Sequence, residues 1–124
     1  MTNINFQQKI AVLRILLDII NADGRIDARE TFYYKKISKL LGISEEEHSF
    51  VDDANSLLCL VEIKNFSKEQ KKELAKFMGQ QIVVDTDINV NEMAIYELVC
   101  QTCDIDVKFE ETVFIDEFEG ATHS

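Results

Sequence analysis

The residues with the clearest potential for chemistry are carboxylates gathered at two bends of the chain. The first bend holds Asp23, Asp27 and Glu30, and the second holds Asp85, Asp87 and Glu92. Carboxylate oxygens suit Ca²⁺, Mg²⁺ or Mn²⁺, whereas Zn²⁺ is more often bound by nitrogen and sulfur. The two bends therefore predict a divalent-cation site, and an open cluster of this kind is weak, with a Kd of about 10⁻⁴ to 10⁻³ M.

The same acids also have a structural interpretation. Asp27 suits a helix N-cap, and Glu30 three residues later would complete a capping box. Asn89 and Glu92 repeat this pattern in the second bend. Each cap would stabilise its helix by about 1 kcal/mol with no metal bound, and the sequence leaves both interpretations open.

The first bend also matches the second half of an EF-hand calcium loop. With Glu30 at loop position 12, Gly24 falls at position 6, but Ile19 takes position 1, where a carboxylate is needed. In the second bend Gln81 takes position 1 and Thr86 replaces the glycine. An EF-hand pair is therefore not predicted.

The segments that must position the two bends are predicted to be helices, because apolar residues recur in them at helical spacing. Gly24 supplies the positive φ that ends the first helix, and Ile26 is predicted to be an apolar plug between the two helices at the bend. The predicted helices are Asn3–Asn21, Ala28–Leu41, a short helix after a Ser44 capping box, Leu57–Ile63, a helix after a Ser67 capping box, Val90–Thr102 and Val107–Phe118. In the second of them Tyr33, Ile37, Leu40 and Leu41 are predicted to form one face. The end of the chain, Gly120–Ser124, is predicted to be frayed.

The second bend repeats the first one 62 positions later. The identical pairs are Asp23 and Asp85, Ile26 and Ile88, Glu30 and Glu92, Tyr34 and Tyr96, and Ile43 and Ile105. Together with the matched apolar periodicity they indicate an internal repeat. The sequence thus predicts one all-α domain over residues 1–124, a compact bundle of about seven helices with repeats at about 4–43 and 67–105.

The composition excludes several classes of partner and compartment. With 13 basic and 23 acidic residues the net charge is −10, which disfavours nucleic acid and anionic membrane surfaces. No signal peptide is visible, and no apolar run reaches the roughly 20 residues that span a bilayer. Three cysteines fit a reducing compartment. We expect a cytoplasmic protein whose partners are cations, basic proteins or basic peptides.

Three other patterns are weaker. Cys100 and Cys103 have the spacing of a zinc or redox pair, but the sequence offers no second ligand pair, so we interpret them as core residues. Neither His48 nor His123 belongs to a recognisable catalytic set, and no nucleotide-binding motif is present, so no catalytic or cofactor-binding residue is predicted. The basic patches Lys35–Lys36 and Lys68–Lys76 suit solvated helix faces or a docking face for an acidic partner.

Two acidic bends in a small helical chain resemble the tellurite-resistance TerB family and the related N-terminal module of the DjlA co-chaperone. The resemblance spans about Ile10 to Ile105 and rests on Ala22–Glu30, Leu40–Ile43 and Asp85–Glu92. It implies an all-helical fold with a pseudo-twofold relation between its halves, corner carboxylates that bind a divalent cation, and no catalytic activity. Members are linked to tellurite resistance, metal-related stress and membrane-associated protein complexes.

From this resemblance we expect a non-enzymatic module that mediates protein interactions in a tellurite or metal stress response. Two alternatives stay open. A calcium- or magnesium-sensing helix pair would expose apolar surface when it binds the cation, and a metal-independent co-chaperone-type domain would bind its partner in EDTA. Separation of the two signs of charge along the chain leaves homo-oligomerisation open as well.

Overall fold

Six α-helices form most of the part of the chain that the computed structural model describes, residues 3–84 and 88–113. The helices are α1 (Phe6–Ile20), α2 (Ala28–Leu40), α3 (His48–Asp52), α4 (Ser56–Lys64), α5 (Lys68–Val83) and α6 (Val90–Thr102), and residues 109–113 are also helical. The predicted all-α bundle is confirmed. The rest of the last predicted helix and the frayed end at Gly120–Ser124 lie outside the described residues.

Matching caps begin the first helix of each repeat. The Asn5 side chain accepts the N–H of Gln8 over 2.8 Å, and the Gln8 side chain accepts the N–H of Asn5 over 2.9 Å. Ser67 and Gln70 form the same reciprocal pair at the start of α5, at 3.1 and 2.9 Å. Because each box satisfies two otherwise unpaired N–H groups, it fixes where its helix begins.

Matching turns end the second helix of each repeat. After α2, Gly42 adopts a φ of +74° and the Ile43 N–H reaches the Ser38 carbonyl over 3.1 Å. After α6, Asp104 takes the same left-handed conformation at +58°, and the Ile105 N–H reaches the Cys100 carbonyl over 2.8 Å. Aspartate is one of the few residues other than glycine that adopt this conformation readily. The repeat is therefore present in the structure down to the helix ends.

Helix α1 is the centre of the bundle and contacts each of the other five helices. This agrees with the sequence, in which apolar residues cover more than one face of the helix. Its fully buried side chains include Val12, Leu13, Leu16 and Ile19. None of the described helices is long and apolar enough to cross a membrane.

Two predictions about apolar residues are wrong. Ile26 is not a plug, because its side chain is 74% exposed, and its counterpart Ile88 is 53% exposed. Leu40 does not share the inward face of α2, because it is 64% exposed. Ile37 and Leu41 define that face at helical spacing, and Leu40 is rotated by about 100° from its neighbour Leu41.

Candidate cation site at the paired corners

The two acidic corners lie against each other. The Asn89 side-chain N–H donates a hydrogen bond to Asp23 Oδ2 over 3.2 Å, although the residues are 66 positions apart in sequence. The Asn89 oxygen meanwhile caps α6, accepting the N–H groups of Asn91 at 2.8 Å and Glu92 at 3.1 Å. One side chain therefore starts a helix of the second repeat and holds a carboxylate of the first.

Asp23 is fixed by its own bend as well as by Asn89. Its Oδ1 accepts the Arg25 N–H over 2.9 Å, and the intervening Gly24 has a φ of +76°. The Asp23 side chain is only 15% exposed. The local turn thus directs this carboxylate towards the second repeat.

Asp27 lies nearer the surface and is a structural cap. Its Oδ1 accepts the Arg29 N–H over 2.8 Å and begins α2 as predicted. The Arg29 guanidinium lies 3.3 Å from both carboxylate oxygens. These hydrogen bonds from Arg29 hold the pKa of Asp27 below its usual value. Asp27 is therefore held as a carboxylate by its own helix, independently of the second corner.

Glu30 and Glu92 do not close the capping boxes that the sequence predicts. Asn89 accepts the N–H of Glu92, as a capping box requires, whereas Asp27 accepts the N–H of Arg29, one position before Glu30. Both glutamates turn into the protein and are 3% and 1% exposed. Burying a carboxylate is costly unless a proton, a cation or hydrogen bonds compensate for the lost water. These two positions are therefore the buried acids of the repeat rather than solvated charges.

Gln81 is a site residue that the sequence analysis did not assign to the site. It is fully buried on α5, and its Nε2 donates to the Glu30 backbone carbonyl over 3.0 Å. Its Oε1 is buried as well, and no donor of the described residues reaches it. The signal in the sequence was a polar residue where the first repeat has the core residue Ile19.

The structure brings part of the predicted ligand set together. Asp23 reaches the second corner through Asn89, and Glu30 lies beside Gln81 of the second repeat. Within 3–84 and 88–113, no three His, Cys, Asp or Glu side chains form a metal-binding group by themselves. Asp85 and Asp87 lie outside these ranges, so the six-residue set stays a prediction. The oxygen donors that are present would suit Ca²⁺, Mg²⁺ or Mn²⁺.

The cysteines are packing residues, as the sequence indicates. All three are free thiols, and Cys103 is fully buried with its Sγ 3.3 Å from the Leu60 carbonyl. Burial raises the pKa of Cys100 to about 11 and also raises the pKa values of Cys59 and Cys103. Thiols held in this protonated state are poor nucleophiles and poor metal ligands.

Comparison with known proteins finds a solved structure with a similar fold. No family model and no curated protein matches the chain. The structure is similar to the crystal structure of a protein of unknown function from Porphyromonas gingivalis W83, with a TM-score of 0.74 and 21% identity. The similarity covers 91% of this chain and 97% of the other. It establishes the helical fold and carries no function with it.

Proposed function

We propose that this chain is a TerB-like, non-enzymatic module that mediates protein interactions in a tellurite or metal stress response, with a weak divalent-cation site at its paired corners. The resemblance of the acidic bends supports the family. The proposed ligands are Asp23, Asp27, Glu30, Asp85, Asp87 and Glu92, to which we add Gln81. From the same resemblance we propose a cytoplasmic location and a protein partner. Membrane-associated stress complexes are one class of such partner.

The buried Oε1 of Gln81 is the observation that carries the cation site. An acceptor with no donor in the protein interior costs free energy, and proteins retain few such atoms without a reason. Here the atom lies beside the Glu30 backbone, at the seam where the repeats meet. A cation in this seam would coordinate the amide oxygen and offset the charge of the two buried glutamates.

An exposed apolar strip on α4 supports the interaction role. Leu57, Leu58 and Val61 are 73%, 69% and 60% exposed, while Cys59 and Ile63 on the same helix face the core. A short helix that is apolar on both sides is normally covered on both sides. The strip contains none of the proposed cation ligands, and this favours the metal-independent interaction domain as the second candidate.

A calcium titration followed by two-dimensional ¹H–¹⁵N NMR tests the cation site. We expect the amide signals of Asp23, Glu30 and Glu92 to move with a Kd of about 10⁻⁴ to 10⁻³ M. Glu92→Gln should weaken binding about tenfold, because it removes a buried charge. Glu97→Gln is the matched control, since Glu97 is exposed on the same helix. Unmoved corner signals, or equal affinities in the two variants, would refute the cation site.

A second measurement, the fluorescence of an apolar dye during the same titration, distinguishes the calcium-sensing alternative from our proposal. A calcium-sensing helix pair would bind more dye as the site fills, because sensing exposes apolar surface. In our proposal the strip on α4 is already exposed, so dye binding should be independent of Ca²⁺ and should fall in Leu58→Ser. A calcium-dependent rise in fluorescence would favour the sensor.

A further inference from the structure

A groove of about 710 Å³ opens beside the first corner, and neither the acidic site nor the α4 strip uses it. It runs between the end of α1, the outer side of α2 and the turn that leads into α3. Ile20, Tyr34 and Ile43 are buried residues that line it, and Ile26 of the first corner lies at its exposed rim. Its volume lies within the range of small-molecule sites, about 300–1,000 Å³.

Two polar side chains of the groove, Tyr34 and His48, are hydrogen-bonded to each other. Tyr34 O–H meets His48 Nε2, and His48 Nδ1 lies 3.4 Å from Asp52 Oδ1. Burial, reinforced by the nearby Asp52 charge, raises the pKa of Tyr34 well above its ordinary value. The phenol therefore stays protonated, and this chain of three residues stiffens the groove rather than supplying a nucleophile.

The rim of the groove carries two lysines and one carboxylate, Glu45, so its net charge is positive in a protein that is otherwise acidic. Lys35 and Lys39 line the groove one helical turn apart on α2, and both are exposed. No carboxylate of the described residues lies within ion-pair distance of either lysine. The i,i+4 partners expected of a solvated helix face are therefore missing, because the residues one turn from Lys35 are Thr31 and Lys39.

The second repeat lacks this combination. Glu97 and Gln101 occupy the positions equivalent to Lys35 and Lys39, whereas the tyrosine is retained as Tyr96. Tyr96 O–H donates to the Val107 carbonyl over 2.8 Å. The lysine pair is thus a feature of the first repeat alone and is not needed to build the shared helix pair.

From the apolar floor, the rigid polar end and the lysine pair, we infer that the groove binds a small amphiphilic carboxylate. An apolar chain of about eight to twelve carbons would lie on Ile20 and Ile43, with its carboxylate between the two lysines. A protein partner would need a broad apolar surround, as on α4, whereas Ile26 is the one large, exposed apolar side chain among the described residues that line the groove. Concave shape and positive rim together select a small anionic ligand.

Titration with decanoate, followed by ¹H–¹⁵N NMR, tests this inference. We expect the amide signals of Ile20, Tyr34 and Ile43 to move, while those of Leu57 and Leu58 stay in place. Decylammonium, which has the same chain and the opposite charge, should bind at least about tenfold more weakly because the two lysines repel it. Equal binding of the two amphiphiles, or shifts confined to α4, would overturn the inference.

Two charge-reversal variants locate the anion. Lys35→Glu combined with Lys39→Glu should raise the Kd for decanoate about tenfold or more. Lys68→Glu combined with Lys72→Glu is the matched control, because these lysines are exposed with the same spacing on α5. Both variants add the same negative charge, so an equal loss of affinity would mean that net charge alone attracts the ligand and would overturn the site.

A third variant tests the cavity without altering its charge. Ser38→Trp would fill the groove from α2, because Ser38 lines the groove and is only partly buried. We expect decanoate binding to be lost while the circular dichroism spectrum and the calcium response are retained. Undiminished decanoate binding in this variant would show that the ligand lies elsewhere.

Discussion

Both corners place an N-cap residue at the start of the second helix of their repeat, but the two caps differ. At the first corner the cap is Asp27, a carboxylate engaged by Arg29 near the surface. At the second the cap is Asn89, an amide that serves both α6 and Asp23. An aspartate at position 89 would present an oxygen to the Asp23 carboxylate, where the asparagine presents an N–H. The asparagine at position 89, where the first motif has an aspartate, therefore suits the contact with Asp23 and is not a sign that the second motif has been lost.

The first helices of the two repeats differ in a similar way. Leu17 of α1 and Gly79 of α5 occupy equivalent positions. Leu17 lines the open groove, whereas Gly79 lies under Thr112 of the helical stretch 109–113. Thr112 is 2% exposed and its hydroxyl donates to the Phe109 carbonyl over 2.7 Å. The absence of a side chain at position 79 lets this stretch pack directly on the α5 backbone.

The largest expected effect comes from giving Gly79 a side chain. Helix propensity alone would make Gly79→Ala stabilising by about 1 kcal/mol. A Cβ at this position would overlap two atoms of the buried Thr112 side chain, so we expect an overpacking cost at the upper end of the usual range, about 3 kcal/mol or more. We therefore expect a net loss in the free energy of unfolding, measured with urea and circular dichroism. Adding Thr112→Ala should restore only part of the stability, because it removes the hydroxyl and methyl groups but leaves a Cβ 2.8 Å from the new one. A stabilised single variant would contradict the packing described for Thr112.

The next effect tests why the second cap is an asparagine. Asn89→Asp should lower the free energy of unfolding by about 1–2 kcal/mol, because it replaces a hydrogen bond to Asp23 with repulsion between carboxylates. The loss should shrink in high salt and in Ca²⁺. Asp27→Asn is the control and should change stability little, since asparagine and aspartate are similar N-caps. Equal losses in the two variants would mean that the corners do not meet as described.

The smallest effect has the opposite sign. Gln81→Met keeps the shape of the side chain and removes a buried acceptor, so we expect stability to rise by about 1 kcal/mol. The Glu30 carbonyl retains its hydrogen bond within α2. Gln70→Met should destabilise instead, because Gln70 is buried with its amide donating to Asn3 and accepting from Ser67. A loss of stability in Gln81→Met would show that Oε1 has a stabilising partner.

The sequence predicted the fold well because its signals are local. Capping residues, apolar spacing and positive-φ positions each act within one or two turns, so the starts of α2, α5 and α6 follow from Asp27, Ser67 and Asn89. The internal repeat then predicted that the two acidic corners belong together, and the contact between Asp23 and Asn89 agrees with that.

The site was harder to predict because its chemistry depends on tertiary packing. Glu30 has the spacing of a capping-box residue, but in the fold it lies on the buried side of α2 beside Gln81 of α5. One sequence pattern fits both outcomes. Gln81 was passed over for the same reason, since its role depends on the backbone of a distant helix. The groove could not be predicted either, because three separate segments form its walls.

The central position of α1 has a consequence for how this molecule can come apart. The helices α2 to α6 all contact it, so releasing either repeat would leave part of the apolar surface of α1 in water. Neither half can then melt alone at low cost, and denaturation should follow a single cooperative transition. The two repeats thus depend on one central helix, so a sequence change in one repeat alters the stability of the other.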